Sequence, residues 1–160
     1  MLAVVYELLL QGEFNIHVAS FPNLERRVND LHATLNLKAI SNLTFHALPG
    51  PTLTDAIALR GDEFGSPRRP GVRGAIESYG EIQNVVAPWN GHEYIQGYNC
   101  CLELFKTLDP VVVLVDPVYS QGLDACRRAS RKHVVLTPTS LKETAIHQQP
   151  RQAFIWKYPV

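Results

Sequence analysis

The chain has 160 residues, 46% of them hydrophobic, which is enough for one soluble domain with a core of ordinary size. Fifteen basic residues balance fifteen acidic ones, so there is no basic excess to displace counterions from phosphates, and a nucleic-acid-binding surface is not expected. No apolar run approaches the ~20 residues needed to cross a bilayer, and the opening "MLAVVYELLL" lacks a signal peptide's basic flank and small-residue cleavage site, so a cytoplasmic protein with no transmembrane segment is expected.

Helix-like and strand-like stretches alternate along the chain, the pattern of an α/β fold with a parallel sheet. "LAVVYELLLQG" has the Ala, Leu and Glu content of a helix, with Gly12 as its stop, although its valines leave a strand over residues 2–10 open. "NIHVASF" reads as a strand ending at Pro22. "NLERRVNDLHATLN" reads as a helix that puts Leu24, Val28, Leu31 and Leu35 on one face. "NLTFHALPG" is a second strand, stopped by Pro49 and Gly50. Residues 49–74 hold four prolines, five glycines and Arg60, Arg68, Arg69 and Arg73, the composition of a mobile loop.

Helix signals return from Val72 to Leu108, broken at Pro88 and near Asn90–Gly91. Tyr94, Tyr98, Cys101, Phe105 and Leu108 then recur at intervals of three and four, an apolar stripe that reads as core. "VVVLV" is unbroken, as in a strand covered on both faces. The helix "SQGLDACRRASR" and the strand "HVVLT" follow, before a tail with a short helix and an aromatic end. Residues 1–160 read as a single domain. Cys100, Cys101 and Cys126 are odd in number and badly spaced for a disulfide framework or a zinc site, so reduced thiols, mostly buried, are expected.

Chemistry in an open parallel sheet gathers outside the carboxyl ends of the strands. Asp116 stands there, with Pro117 ending the strand and Ser120 able to cap the next helix. Two readings remain open for it: an acid that orients a histidine, or a cap of the turn. No G-x-G-x-x-G, Walker loop, G-x-S-x-G elbow or H-E-x-x-H occurs. His17, His32, His133 and His147 are scattered and read as structural or exposed. His46, near a strand end, and His92, at a helix start, are better placed to line a pocket. Trp89, Tyr94, Trp156 and Tyr158 are the aromatics that suit an apolar small molecule, with Tyr94 favoured as core.

"YELLLQGEFNIHVASFPNLERRV", "FHALPGP" and "DPVVVLVDPVYSQGLDACRRASRKHVVLTP" together resemble the N-terminal half of a UDP-glycosyltransferase, of the fungal branch of that family, over almost the whole chain. The resemblance implies a Rossmann-like, acceptor-binding half of a GT-B architecture. It implies hexosyl transfer from a UDP-sugar to a hydroxyl of a small lipophilic acceptor, with Asp116 as the acid of a His–Asp dyad. His46, Trp89, His92 and Tyr119 are then candidates for the acceptor pocket.

Compared with the family, the chain begins within the first helix, so the first strand, the loop bearing the base histidine and the sugar-nucleotide domain are expected to be missing. No resident cofactor or metal is expected, and the UDP-sugar belongs to a full-length member. The chain alone is expected to be inactive. A non-catalytic docking subunit serving a separate donor-domain protein is the alternative. Loss of the first strand implies that "NIHVASF" and "VVVLV" either pair directly or leave backbone groups unpaired, with lowered stability.

Overall fold

The computed structural model describes residues 1–34, 43–60, 71–74, 76 and 87–137. It is a mixed α/β structure of small parallel sheets with flanking helices.

Helix α1, Leu2–Gln11, settles the opening segment as helical. It ends where Gly12 takes φ 69, a left-handed cap that glycine adopts without a Cβ penalty, and the Gly12 N–H donates to the Leu9 carbonyl. Strand β1, Ile16–Ser20, runs into a 3₁₀ turn at Pro22–Leu24 and directly into α2, Glu25–Thr34. Strand β2, Leu43–Ala47, lies parallel to β1, with Val18 opposite Phe45 and Ala19 opposite His46. Side chains alternate across a strand. Val18 and Leu43 therefore meet Val5, Leu9 and Val28 in one core, with Ile16, Phe45, Leu24 and Leu31 packed around it. Leu35, expected on the same helix face, lies outside the described residues. Val28 and Leu9 are 1% and 2% exposed, and burial of each contributes about 1.5–3 kcal/mol.

The segment expected as a loop contains a helix, α3, Leu53–Ala58. The Thr52 hydroxyl accepts the Asp55 N–H at 3.2 Å, and Ala56 and Ile57 bury its inner face, so local capping overrides the Pro/Gly-rich composition. Most of the rest of that loop, 61–70, lies outside the described residues.

Helix α4, Gly91–Leu108, starts with a capping box: Asn90 Oδ1 accepts the Glu93 N–H at 2.9 Å, and Glu93 Oε2 accepts the Asn90 N–H at 2.8 Å. The expected stripe is core in its second half, where Cys101 and Phe105 are buried. At its C-terminus the Arg131 guanidinium donates to Asp109 Oδ1 and to the Phe105 carbonyl, placing positive charge on the negative end of the helix.

Strand β3, Val113–Val115, and strand β4, His133–Val135, form a second parallel pair around α5, Ser120–Arg128. Here one expectation is corrected. "VVVLV" is not covered on both faces: only Val115 is buried, while Val111 is 89% and Val112 45% exposed. The ladder with β4 holds three residue pairs, and both exposed valines precede it. Nor do β1 and β3 pair directly. Among the described residues the strands form two two-stranded sheets, β1–β2 and β3–β4, and α1 does not supply a strand between them.

The two halves meet beyond the strand ends. Leu48, just after β2, joins Cys101, Phe105, Val115, Ala125 and Cys126 in a second core, with Phe21 and Tyr119 packed against it. All three cysteines are free, with Cys101 and Cys126 buried and Cys100 half-buried, as read from their spacing.

Candidate functional site

The carboxyl ends of β1, β2 and β3 converge. Phe21 follows β1, Leu48–Pro51 follow β2, and Asp116–Tyr119 follow β3. The Tyr119 ring is at their junction, edge-to-face with Phe21 and with Trp89, each at 5.9 Å between centroids. The Trp89 indole N–H donates to the Pro51 carbonyl at 3.0 Å. That bond anchors the segment leading into α4 onto the segment after β2. Because it uses the only polar atom of the indole, Trp89 offers this junction an apolar wall.

Asp116 is half-buried at the end of β3. Its Oδ1 accepts the Val118 N–H at 2.9 Å, and its carbonyl accepts the Tyr119 N–H at 3.1 Å. This is a side-chain-closed turn of the kind aspartate favours. The turn-cap reading is therefore realised through one carboxylate oxygen, while Oδ2 takes no hydrogen bond from a described residue. The capping role expected of Ser120 is corrected. Ser120 is the first helical residue of α5, the cap position belongs to Tyr119, and no side chain caps this N-terminus. The Asp116 turn aims the chain into α5 one residue earlier than the sequence suggested.

Tyr119 is clamped. A Cβ at Gly97 of α4 would stand 2.8 Å from the Tyr119 hydroxyl, and one at Gly122 of α5 would stand 2.8 Å from its Cδ1 and 3.3 Å from its Cε1. Each glycine leaves room for the ring, which a methyl group would fill. Burial pushes the Tyr119 hydroxyl well above the usual tyrosine range, with the Cys101 thiol adding to the shift, so the group stays neutral. Gln121 is 1% exposed and its Oε1 is buried without a hydrogen-bond partner among the described residues, whereas the buried Tyr119 hydroxyl has only the Cys101 thiol, a weak partner, beside it. An orphaned polar atom and a weakly partnered one under one aromatic cluster are costly in a folded core.

His46 does not join this cluster. It projects from the sheet face opposite α1 and α2 and meets His17 on β1, with His17 Nδ1 3.0 Å from His46 Nε2. Burial lowers the His46 pKa, and the neighbouring His17 lowers it further, so neutral imidazole is favoured. His92 is exposed on the first turn of α4, and no hydrogen bond or ring contact ties it to the other candidates. His133 Nδ1 lies 2.9 Å from the Arg131 carbonyl. Thus no described histidine bonds to Asp116. The structure brings Trp89 and Tyr119 together beside the Asp116 turn and leaves His46 and His92 apart from them.

Tyr94 belongs to the helix packing: its hydroxyl donates to Asp124 at 2.6 Å, and Arg127 holds the other carboxylate oxygen at 3.1 Å, locking α4 to α5. Trp156 and Tyr158 lie outside the described residues. Sequence reasoning missed Phe21, Gln121 and the pairing of His17 with His46. The glycines within "IQGYNCC" and "SQGLDAC" carried a signal, since a glycine inside a helix marks close approach. Among the described residues no group of three or more His, Cys, Asp or Glu side chains could hold a metal ion, and no helix is long and apolar enough to cross a membrane.

The arrangement is that of an α/β protein whose candidate ligand-facing residues stand at the carboxyl ends of parallel strands, as expected of a Rossmann-type fold. A glycosyltransferase named sdnJ from Sordaria araneosa is 32% identical over 168 aligned positions, which cover 99% of this chain and 33% of that protein. The chain thus spans about a third of the length of the curated relative it matches. No family model matches the chain. No solved structure matches it.

Proposed function

We propose that this chain is the acceptor-binding part of a UDP-glycosyltransferase of the GT-B type, serving hexosyl transfer to a hydroxyl of a small lipophilic acceptor. The observation that carries the reading is the likeness to a glycosyltransferase along 99% of the chain. The convergence of Phe21, Trp89 and Tyr119 beside Asp116 supports it. Apolar walls suit a lipophilic acceptor, and a half-buried carboxylate with one oxygen that takes no hydrogen bond from a described residue suits the acid of a His–Asp dyad. The dyad histidine is the group that takes the acceptor proton as the hydroxyl attacks the anomeric carbon. Its assistance is typically ~10²–10⁴-fold, and none of the described histidines is placed to give it.

On this reading the chain binds acceptor and does not turn over UDP-sugar alone. The test is a titration of the purified chain with a panel of sterols, polyketides and phenols, read by tryptophan fluorescence, beside a UDP-sugar turnover assay with the same panel. Saturable acceptor binding that weakens in Tyr119→Ala, without turnover, is the expected result. Turnover above background, or no binding across the panel by a folded chain, overturns it.

A further inference from the structure

We propose that His17 and His46 form a chelating site for a divalent transition ion of the zinc, nickel or cobalt class, distinct from the Asp116 junction. The two residues sit diagonally across the parallel β1–β2 ladder, where Ala19 is the direct partner of His46 and Thr44 of His17. Both rings project from the same sheet face. His17 is exposed and His46 half-buried, with centroids 5.2 Å apart and planes inclined by 36°.

The separation is the informative quantity. Imidazole binds these ions at ~2.0–2.1 Å, and two such bonds meeting at 90–109° set their nitrogens roughly 2.9–3.3 Å apart. His17 Nδ1 and His46 Nε2 stand at 3.0 Å. At that distance the two nitrogens share a hydrogen bond, and a common ion would replace it once the rings turn until both lone pairs face the ion. The neutral form that burial and His17 favour at His46 is the form that ligates.

The opposite sheet face holds the backbone still, because Val18 and Leu43 are locked against Val5, Leu9 and Val28. No described carboxylate or thiol completes a group of three. Among the described residues the two imidazoles have no third ligand beside them, which leaves the remaining positions open to water or an external ligand. Two imidazoles without carboxylates select borderline ions over magnesium and calcium, which take oxygen ligands.

Calorimetric titration of the whole chain with ZnCl₂, and with CoCl₂ read by its visible bands, tests the assignment at pH 7.5. One ion per chain is expected. His17→Ala and His46→Ala should each lower the affinity by about tenfold or more, and His92→Ala should leave it unchanged. In the unmutated chain, the ring-proton resonances of His17 and His46 should shift together on adding Zn²⁺, a readout that needs no variant. Absence of binding, binding unaffected by either substitution, or shifts confined to other histidines overturns the proposal.

Discussion

The clamp on Tyr119 makes a quantitative prediction. At Gly97, replacement by alanine improves helix propensity by about 1 kcal/mol in the interior of α4. The new methyl, however, would stand 2.8 Å from the Tyr119 hydroxyl oxygen, closer than such contacts occur. Overpacking of this kind costs typically 1–3 kcal/mol, so Gly97→Ala alone should lower stability by up to ~2 kcal/mol, or up to roughly 4–8 °C in Tm for a chain of this size. Tyr119→Phe removes the clashing atom. Because that oxygen is buried with only the Cys101 thiol, a weak partner, beside it, its loss alone should be close to neutral. The double variant then keeps the helix gain without the clash and should be the most stable of the four proteins. The cycle should give a coupling of about 1–3 kcal/mol, measured by urea unfolding with circular dichroism. Gly122→Ala supplies the control. Its methyl meets ring carbon Cδ1 at 2.8 Å, which phenylalanine retains, so Tyr119→Phe should not rescue it. A Gly97–Tyr119 coupling below ~0.5 kcal/mol, the ordinary scatter of independent sites, or equal rescue at both glycines, refutes the geometry.

Gln121→Met replaces an amide whose buried oxygen has no described partner with a thioether of similar shape, so stability should hold or rise by up to about 1 kcal/mol, and a loss beyond that means the amide is hydrogen-bonded. Asp116→Asn retains an acceptor for the Val118 N–H and should be near neutral in Tm, whereas Asp116→Ala, which opens the turn, should cost about 1 kcal/mol; equal losses would assign the charge itself to folding. His46 has its pKa lowered by burial and by His17, so the unfolded chain binds its proton more tightly. Its contribution is therefore present above the unfolded value of about 6.5 and is lost as pH falls from there through the folded value. Tm should drop on acidification across that window, and His46→Gln should flatten the drop. Asn90→Ala removes half the capping box of α4 and should cost about 0.5–2 kcal/mol by thermal melt.

What could be read in advance follows from the range of the interaction. Local devices were legible: Gly12 as a helix stop, the break at Asn90–Gly91, and the three-and-four spacing that buries Cys101 and Phe105. Residues 53–58 were hidden because the prolines and glycines around them dominate any window, while one hydroxyl, that of Thr52, suffices to cap a short helix. "VVVLV" misled for another reason. An unbroken apolar run carries no alternation to mark a solvated face, and which of its residues are buried depends on neighbours elsewhere in the chain. For the candidate site, Asp116 could be named from its place after a strand and Trp89 as an aromatic suited to an apolar ligand, whereas Tyr119 could be named only through the family resemblance. Phe21 and Gln121 needed tertiary contacts, and the His17–His46 pair needed the register of two strands, which a single sequence does not specify.

The junction at the strand ends has a consequence for reading any variant there. Among the described residues the two two-stranded sheets share no ladder hydrogen bond, so described contacts beyond the strands join them: Phe21 on Tyr119, Leu48 in the Phe105–Val115 core, and Trp89 on Pro51. Residues proposed to meet an acceptor are thus also residues that hold the halves together. Truncating Tyr119 or Trp89 removes packing along with any ligand contact, and lost binding has to be set against lost stability. Asp116 differs. Its described hydrogen bonds are confined to the turn two and three residues ahead, and it belongs to neither apolar core. A change there that keeps the turn alters charge without altering the junction, so at Asp116 function and folding can be separated by one substitution.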